Sequence, residues 1–163
     1  RRQRQMCIRD SKNIDLVVRH GIFNESEFRA RYCIHLESYR KVVNIEARTM
    51  LDMATHQILP AASAYAKELC DAAAAKKAMG APCRSELDLI EQLAQNQDAL
   101  YARLQQLTGE LKDIPADTKE AAQYCRHVVI ASMDAIRASA DRLEELTAKK
   151  YWPFPTYSDL LFY

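Results

Sequence analysis

The chain has 163 residues, 48% of them hydrophobic and 28% charged, with a formal net charge of +1. That size suits one domain or a piece of a larger protein, and the apolar content is enough for a buried core. Only three glycines occur, Gly21, Gly80 and Gly109, each alone, which excludes clustered-glycine phosphate and dinucleotide sites and argues against the glycine-rich turns of sheet proteins.

The expected fold is all-α, an antiparallel bundle of long helices. A short amphipathic segment comes first, with Ser11 or Asn13 as its cap, Ile14, Leu16, Val17 and Val18 as its apolar side, and Gly21 as a left-handed terminator. Asn24 and Glu27 then have the spacing of a capping box, and Phe23 and Phe28 that of a hydrophobic staple. From there an apolar stripe runs at helical spacing through Phe28, Tyr32, Leu36, Tyr39, Val43, Met50, Ala54 and Ile58, and on through Ala61, Tyr65 and Leu69 to Met79. Pro60 interrupts this run. It has no N–H to donate and its ring meets the carbonyl of His56, so a kink is expected, the periodicity resuming beyond it.

Gly80 and Pro82 end that helix and Ser85 is the expected cap of the next. Ile90, Leu93, Leu100, Leu104, Leu107 and Leu111 form a heptad-like seam, broken by Gln97, which either sets register or snorkels at a helix edge. Gly109 and the Asp113-Ile114-Pro115 stretch form the next break. A last long helix, from about Ala116 to Lys149, has the seam Ala122, Cys125, Val129, Ser132, Ile136, Ser139, Leu143 and Leu146, with small residues that admit a close neighbour. The segment 151–163 differs in kind. Pro153 and Pro155 favour an extended path, and Trp152, Phe154, Tyr157, Leu160, Leu161, Phe162 and Tyr163 call for docking onto other protein.

Residues 1–11 stand apart. RRQRQMCIRDS carries four arginines and one aspartate and resembles a translated cloning adapter, so it is set aside as a non-native leader, with the reading frame expected to begin further upstream. Residues 12–150 are then the helical domain and 151–163 its tail.

Chemistry is sparse. Five scattered cysteines, Cys7, Cys33, Cys70, Cys83 and Cys125, form no CxxC pair, the pattern of reduced thiols in a cytoplasmic protein without a zinc site. Cys33 and His35, two apart on a helix, point to different faces. Asp52 and His56 share a face, as half a metal site or, more simply, a surface hydrogen bond. Glu144-Glu145 and Lys149-Lys150 suit a solvated helix end, and His20 suits a helix C-terminus. Arg29 and Arg31 are offset by Glu25, Glu27 and Glu37, so neither nucleic acid nor, for want of an apolar run of ~20 residues, a membrane is an expected partner. No catalytic, cofactor-binding or metal-binding residue is assigned.

Two strings are more specific than any periodicity. One is Glu37-Ser38-Tyr39-Arg40-Lys41-Val42-Val43-Asn44-Ile45-Glu46-Ala47-Arg48-Thr49-Met50 followed by Gln57-Ile58-Leu59-Pro60-Ala61-Ala62. The other is Trp152-Pro153-Phe154-Pro155-Thr156-Tyr157 with Asp159-Leu160-Leu161-Phe162. In this order and separation they resemble the carboxyl-terminal region of type III glutamine synthetases, from about Lys12 to Tyr163. The resemblance implies a parent enzyme that ligates ammonia to glutamate with ATP and magnesium, through a γ-glutamyl phosphate. It implies catalytic residues in upstream domains and none here, and assembly as stacked hexameric rings, with this region a packing accessory docked to the catalytic domain of its own chain. The alternatives are a stand-alone helical adaptor or coiled-coil oligomerisation module and, a distant third, a self-sufficient enzyme built on a buried histidine or cysteine.

Overall fold

The computed structural model describes residues 11–155 and 157–161. Cys7 and the rest of residues 1–10, together with Thr156, Phe162 and Tyr163, lie outside the described residues. Helices α1 (Ser11–Arg19), α2 (Glu25–Met53), α3 (Leu59–Ala78), α4 (Arg84–Glu110), α5 (Thr118–Tyr124), α6 (Ile130–Leu146) and α7 (Tyr157–Leu161) follow in chain order, and no strand occurs among the described residues.

The start of α2 follows the sequence cues. The Asn24 side chain accepts from the Glu27 N–H at 2.8 Å, and Glu27 returns a carboxylate to the Asn24 N–H at 2.9 Å. Gly21 and Gly80 take φ of 64° and 72° after α1 and α3, the left-handed geometry that favours glycine at a helix end. Three local expectations are corrected. Ser85 does not cap α4; Cys83 precedes the first turn without a side-chain bond, and Ser85 Oγ donates to Glu86 instead, at 3.1 Å. Gly109 makes no break, because it lies inside α4, which ends one residue later. The last long helix stops at Leu146, not Lys149, where Thr147 turns extended at φ −86° and ψ 132°.

Two π turns went unforeseen. Ala54–Ile58 joins α2 to α3, with the Leu59 N–H bonded to the Ala54 carbonyl. Cys125–Val129 joins α5 to α6, with the Ile130 N–H bonded to the Cys125 carbonyl. The first lies immediately ahead of Pro60. The wider turn shifts the hydrogen-bond register by one residue where the proline enters, so the helix passes a residue that has no N–H to give.

Packing is antiparallel, as cross-helix bonds show. Gln97 on α4 donates to Ser63 on α3 at 2.9 Å, and Lys76 pairs with Glu86 near their shared hairpin. On the other side of α4, Arg103 meets Ser139 and Arg142 meets Gln92, so α6 runs opposite to α4. Gln97 therefore neither snorkels freely nor sits buried in the seam: it ties two helices. The core holds Leu93, Leu100, Leu104 and Leu107 of α4 against Ile136 and Leu143 of α6, with Cys125 and Val129 of the second π turn, and Val43, Ala47, Ala54, Ile58 and Ala62 of the long α2–α3 run. The members from α4, the second π turn and α6 are seam positions of the sequence, of which Ile90, Leu111, Ser132 and Leu146 are only half-buried, whereas Ala47 and Ala62 lay outside the expected stripe and Met79, its expected end, is exposed.

The tail has no regular structure over 152–155, with a bend at Phe154, and α7 follows, a short helix the prolines did not announce. Trp152 and Phe154 pack against the core, their rings 6.1 Å apart and edge to face, while Leu160 and Leu161 stay exposed. Because Trp152 is only half-buried, Trp152→Ala is expected to lower stability by about 1–3 kcal/mol. Urea unfolding read by far-UV circular dichroism checks this.

Candidate functional site

The structure separates most of the chemistry-bearing residues noted in the sequence. His56 Nδ1 lies 2.9 Å from Asp52 Oδ1, both exposed, a hydrogen bond on the surface of the helix. No group of three or more His, Cys, Asp or Glu side chains is placed to hold a metal ion among the described residues. Cys33, His35 and His20 are exposed. Glu145 pairs with Arg142 at 2.6 Å.

Cys125 is the one buried thiol among the described cysteines. It sits in the second π turn, near Tyr39 and Arg40 of α2. Burial pushes its thiol up from the ordinary 9.0, with the Arg40 charge a lesser opposing influence. A thiolate is the reactive form, so this cysteine is held as a packing residue.

Lys149 and Lys150 are not a helix-end charge pair, since the helix has already ended. Lys149 pairs with Asp159 of α7. Lys150 crosses to α3, where its Nζ donates to Glu68 Oε1 at 2.9 Å and Oε2 at 2.6 Å, and the Tyr151 hydroxyl donates to the same carboxylate. The Tyr151 ring lies 5.7 Å from that of Tyr65, one turn before Glu68. This clasp fastens the end of the bundle domain to α3.

Its electrostatics give a pH signature. Hydrogen bonds from Lys150 and then Tyr151 hold the Glu68 carboxyl below its ordinary 4.5. A carboxyl depressed in the folded state stabilises above its unfolded pKa and loses that contribution as pH falls through the folded value. The hydrogen bond to Glu68 raises Lys150 and Tyr151 above 10.5 and 10.0, so their contributions are lost as pH rises through the folded values. The clasp is therefore expected to be firm between these limits. The fluorescence of Trp152, the only tryptophan, should shift to the red on acidification below the ordinary glutamate range, and Glu68→Gln should remove that acid step.

Arg103 fills a second cross-helix position. Half-buried on α4, it donates from Nη1 to the Ala135 carbonyl at 2.6 Å and to Ser139 Oγ. At the end of α4, Glu110 Oε1 accepts from Gln106 at 2.7 Å while Oε2 is buried without a partner. Sequence reasoning missed Glu68 and Arg103, and it noted Gln97 without its partner, because the partners lie 32 to 83 residues away, beyond any local pattern. All three hold helices together, and none belongs to an arrangement with a nucleophile beside a base.

A family model described as the glutamine synthetase C-terminal domain matches residues 5–77. A glutamine synthetase of Butyrivibrio fibrisolvens is 36% identical over 155 residues, which is 93% of this chain and 22% of that protein. The chain resembles the C-terminal region of glutamine synthetases over most of its length. A type-3 glutamine synthetase of Dictyostelium discoideum is 27% identical over 95% of this chain, and a glutamine synthetase of Bacteroides fragilis is 27% identical over 94%. The chain thus spans about a fifth of the length of the curated relatives it matches, 22% in each case. The family model covers α1, α2, the first π turn and nearly all of α3, the half of the domain that carries the first quoted string.

Proposed function

We propose that this domain serves subunit packing and assembly in a type III glutamine synthetase, whose parent reaction is the ATP- and magnesium-dependent ligation of ammonia to glutamate. The observation that carries the reading is coverage: the resemblance takes in 93% of this chain but 22% of the Butyrivibrio enzyme. The chemistry of the parent belongs to the remaining portion. The domain's partners are then the catalytic domain of its own chain and other subunits, in stacked hexameric rings, and its compartment is the cytoplasm. The long α2–α3 run bends at Pro60, and the aromatic tail docks against the parent as well as the bundle. The exposure of Leu160 and Leu161 supports that last point.

Two measurements test this. The genomic sequence upstream should encode a glutamine synthetase catalytic domain in frame; a start codon with its own ribosome site just ahead of the domain would instead make it a free-standing adaptor. The purified 163-residue chain should show no γ-glutamyl transfer with ATP and magnesium, and measurable turnover would overturn the assembly reading.

A further inference from the structure

The end of the domain that carries α1 is unfinished. The core, with the apolar side chains packed against it, begins at Tyr39 on α2. Among the described residues, no side chain before Val43 is buried. The apolar pattern starts well ahead of that point. Phe28, Tyr32 and Leu36 continue the line of Tyr39 and Val43 toward the start of α2 at helical spacing, and they remain half-buried. α4 ends at Glu110, and the chief neighbour of α2 is the short α5, which contributes the small buried side chains of Ala121 and Ala122. A three-helix section therefore gives way to a two-helix one, and the aromatic stripe outlasts its cover.

α1 adds to this open surface. Val17 and Val18 follow Ile14 by three and four residues, which puts the three on one side of the helix, while Asp15 and Arg19 lie on another. Among the described residues, α1 packs appreciably on α2 alone. Ile14 and Val17 are half-buried, Val18 is 46% exposed, and Ile22, just past the turn at Gly21, is 61% exposed. A helix of nine residues is too short to persist in water on its own propensity, and most helical stability comes from packing an amphipathic face. The apolar side of α1 therefore needs a cover that the bundle supplies only in part.

Two observations point to that cover. The family model takes in residues 5–77, so the open end belongs to the region that the family shares and is not peculiar to this chain. In the relatives the matching stretch is 22% of the protein, and a C-terminal domain is preceded by the rest of its polypeptide. That larger portion joins the domain at α1, the end that lacks cover. A tethered neighbour is present at high effective concentration, so a modest apolar surface is enough to hold it. We propose that the upstream portion of the same polypeptide packs on the apolar side of α1 and on the Phe28, Tyr32 and Leu36 stripe, completing the bundle where it has only two helices. The proposal rests on the assembly role above and names the surface through which the domain meets its own chain. The facing surface is apolar, because neither the α1 side nor the stripe offers it a charge.

Hydrogen exchange read by mass spectrometry, on the 163-residue chain and on the intact enzyme encoded at the same locus, tests it. In the 163-residue chain the amides of residues 13–36 should exchange at least about tenfold faster than those of residues 93–107, at about 1 and about 100 µM alike. In the intact enzyme residues 13–36 should slow by at least about tenfold. Val18→Lys should undo that slowing in the intact enzyme and leave exchange beyond residue 43 unchanged in the 163-residue chain. Lysine suits the last turn of a helix, so the substitution does not weaken α1 itself. Equal exchange of residues 13–36 in the two proteins, slow exchange already in the 163-residue chain, slowing that appears only at its higher concentration, or a Val18→Lys enzyme with full protection overturns the docking. The third of these would assign the open end to a second copy of the chain. A locus with no catalytic domain ahead of this region overturns the assembly role and the docking together; a locus with one, and unaltered exchange, overturns the docking alone.

Discussion

Replacing Leu100 with alanine is expected to lower the unfolding free energy by about 2–5 kcal/mol. Leu100 is fully buried near the middle of α4, the helix that packs against α3 on one side and α6 on the other. Truncation removes apolar contact and leaves a cavity between three long helices, which cannot close up without shifting their axes. A domain of this size has roughly 5–15 kcal/mol in total, so one side chain takes a large share. The midpoint of urea unfolding should fall without a change in slope. Leu87→Ala, at an exposed position on the same helix, should change stability by less than about 0.5 kcal/mol. Comparable losses at the two sites would mean that α4 is not the central helix.

Ser139→Leu is expected to cost about 3 kcal/mol by a different mechanism. Ser139 is buried on α6 and accepts a hydrogen bond from the half-buried Arg103. Leucine overfills the narrow gap, which typically costs about 1–3 kcal/mol. It also removes the hydroxyl acceptor of a charged donor, a bond of about 1.5–3 kcal/mol. Ser139→Ala separates the two, because it keeps the space and loses only the bond. Double-mutant cycles pairing each change with Arg103→Met should show coupling for both substitutions. If alanine proves neutral, Arg103 is satisfied by the Ala135 carbonyl alone.

Much of this fold was legible because its signals are local. The capping box at Asn24, the left-handed glycines Gly21 and Gly80 and most of the apolar seam through Cys125, Val129, Ile136 and Leu143 depend on residues within a few turns of each other. Gly109 misled because glycine in a helix costs only about 1 kcal/mol relative to alanine, which the packing of Leu104 and Leu107 outweighs. The π turn at Ala54–Ile58 had a hint in Pro60, read as a kink. The turn at Cys125–Val129 had none, since a run of Val128, Val129 and Ile130 fits an ordinary helix equally well. The cross-helix ties of Glu68, Gln97 and Arg103 were illegible for another reason. A polar residue on a helix carries no mark of which distant side chain it will meet. The family resemblance, by contrast, lay in two quoted strings, because strings of identical residues do not depend on geometry.

The clasp at Glu68 has a consequence for how the protein is made. Its donors, Lys150 and Tyr151, lie 82 and 83 residues after their acceptor, and Trp152 and Phe154 seal the core beside them. During synthesis α3 and α4 emerge before this segment and can form their hairpin at once, but one flank stays open until residues 150–154 have followed. The arrival of this short segment, and not the formation of the helices, is then the event that closes that flank.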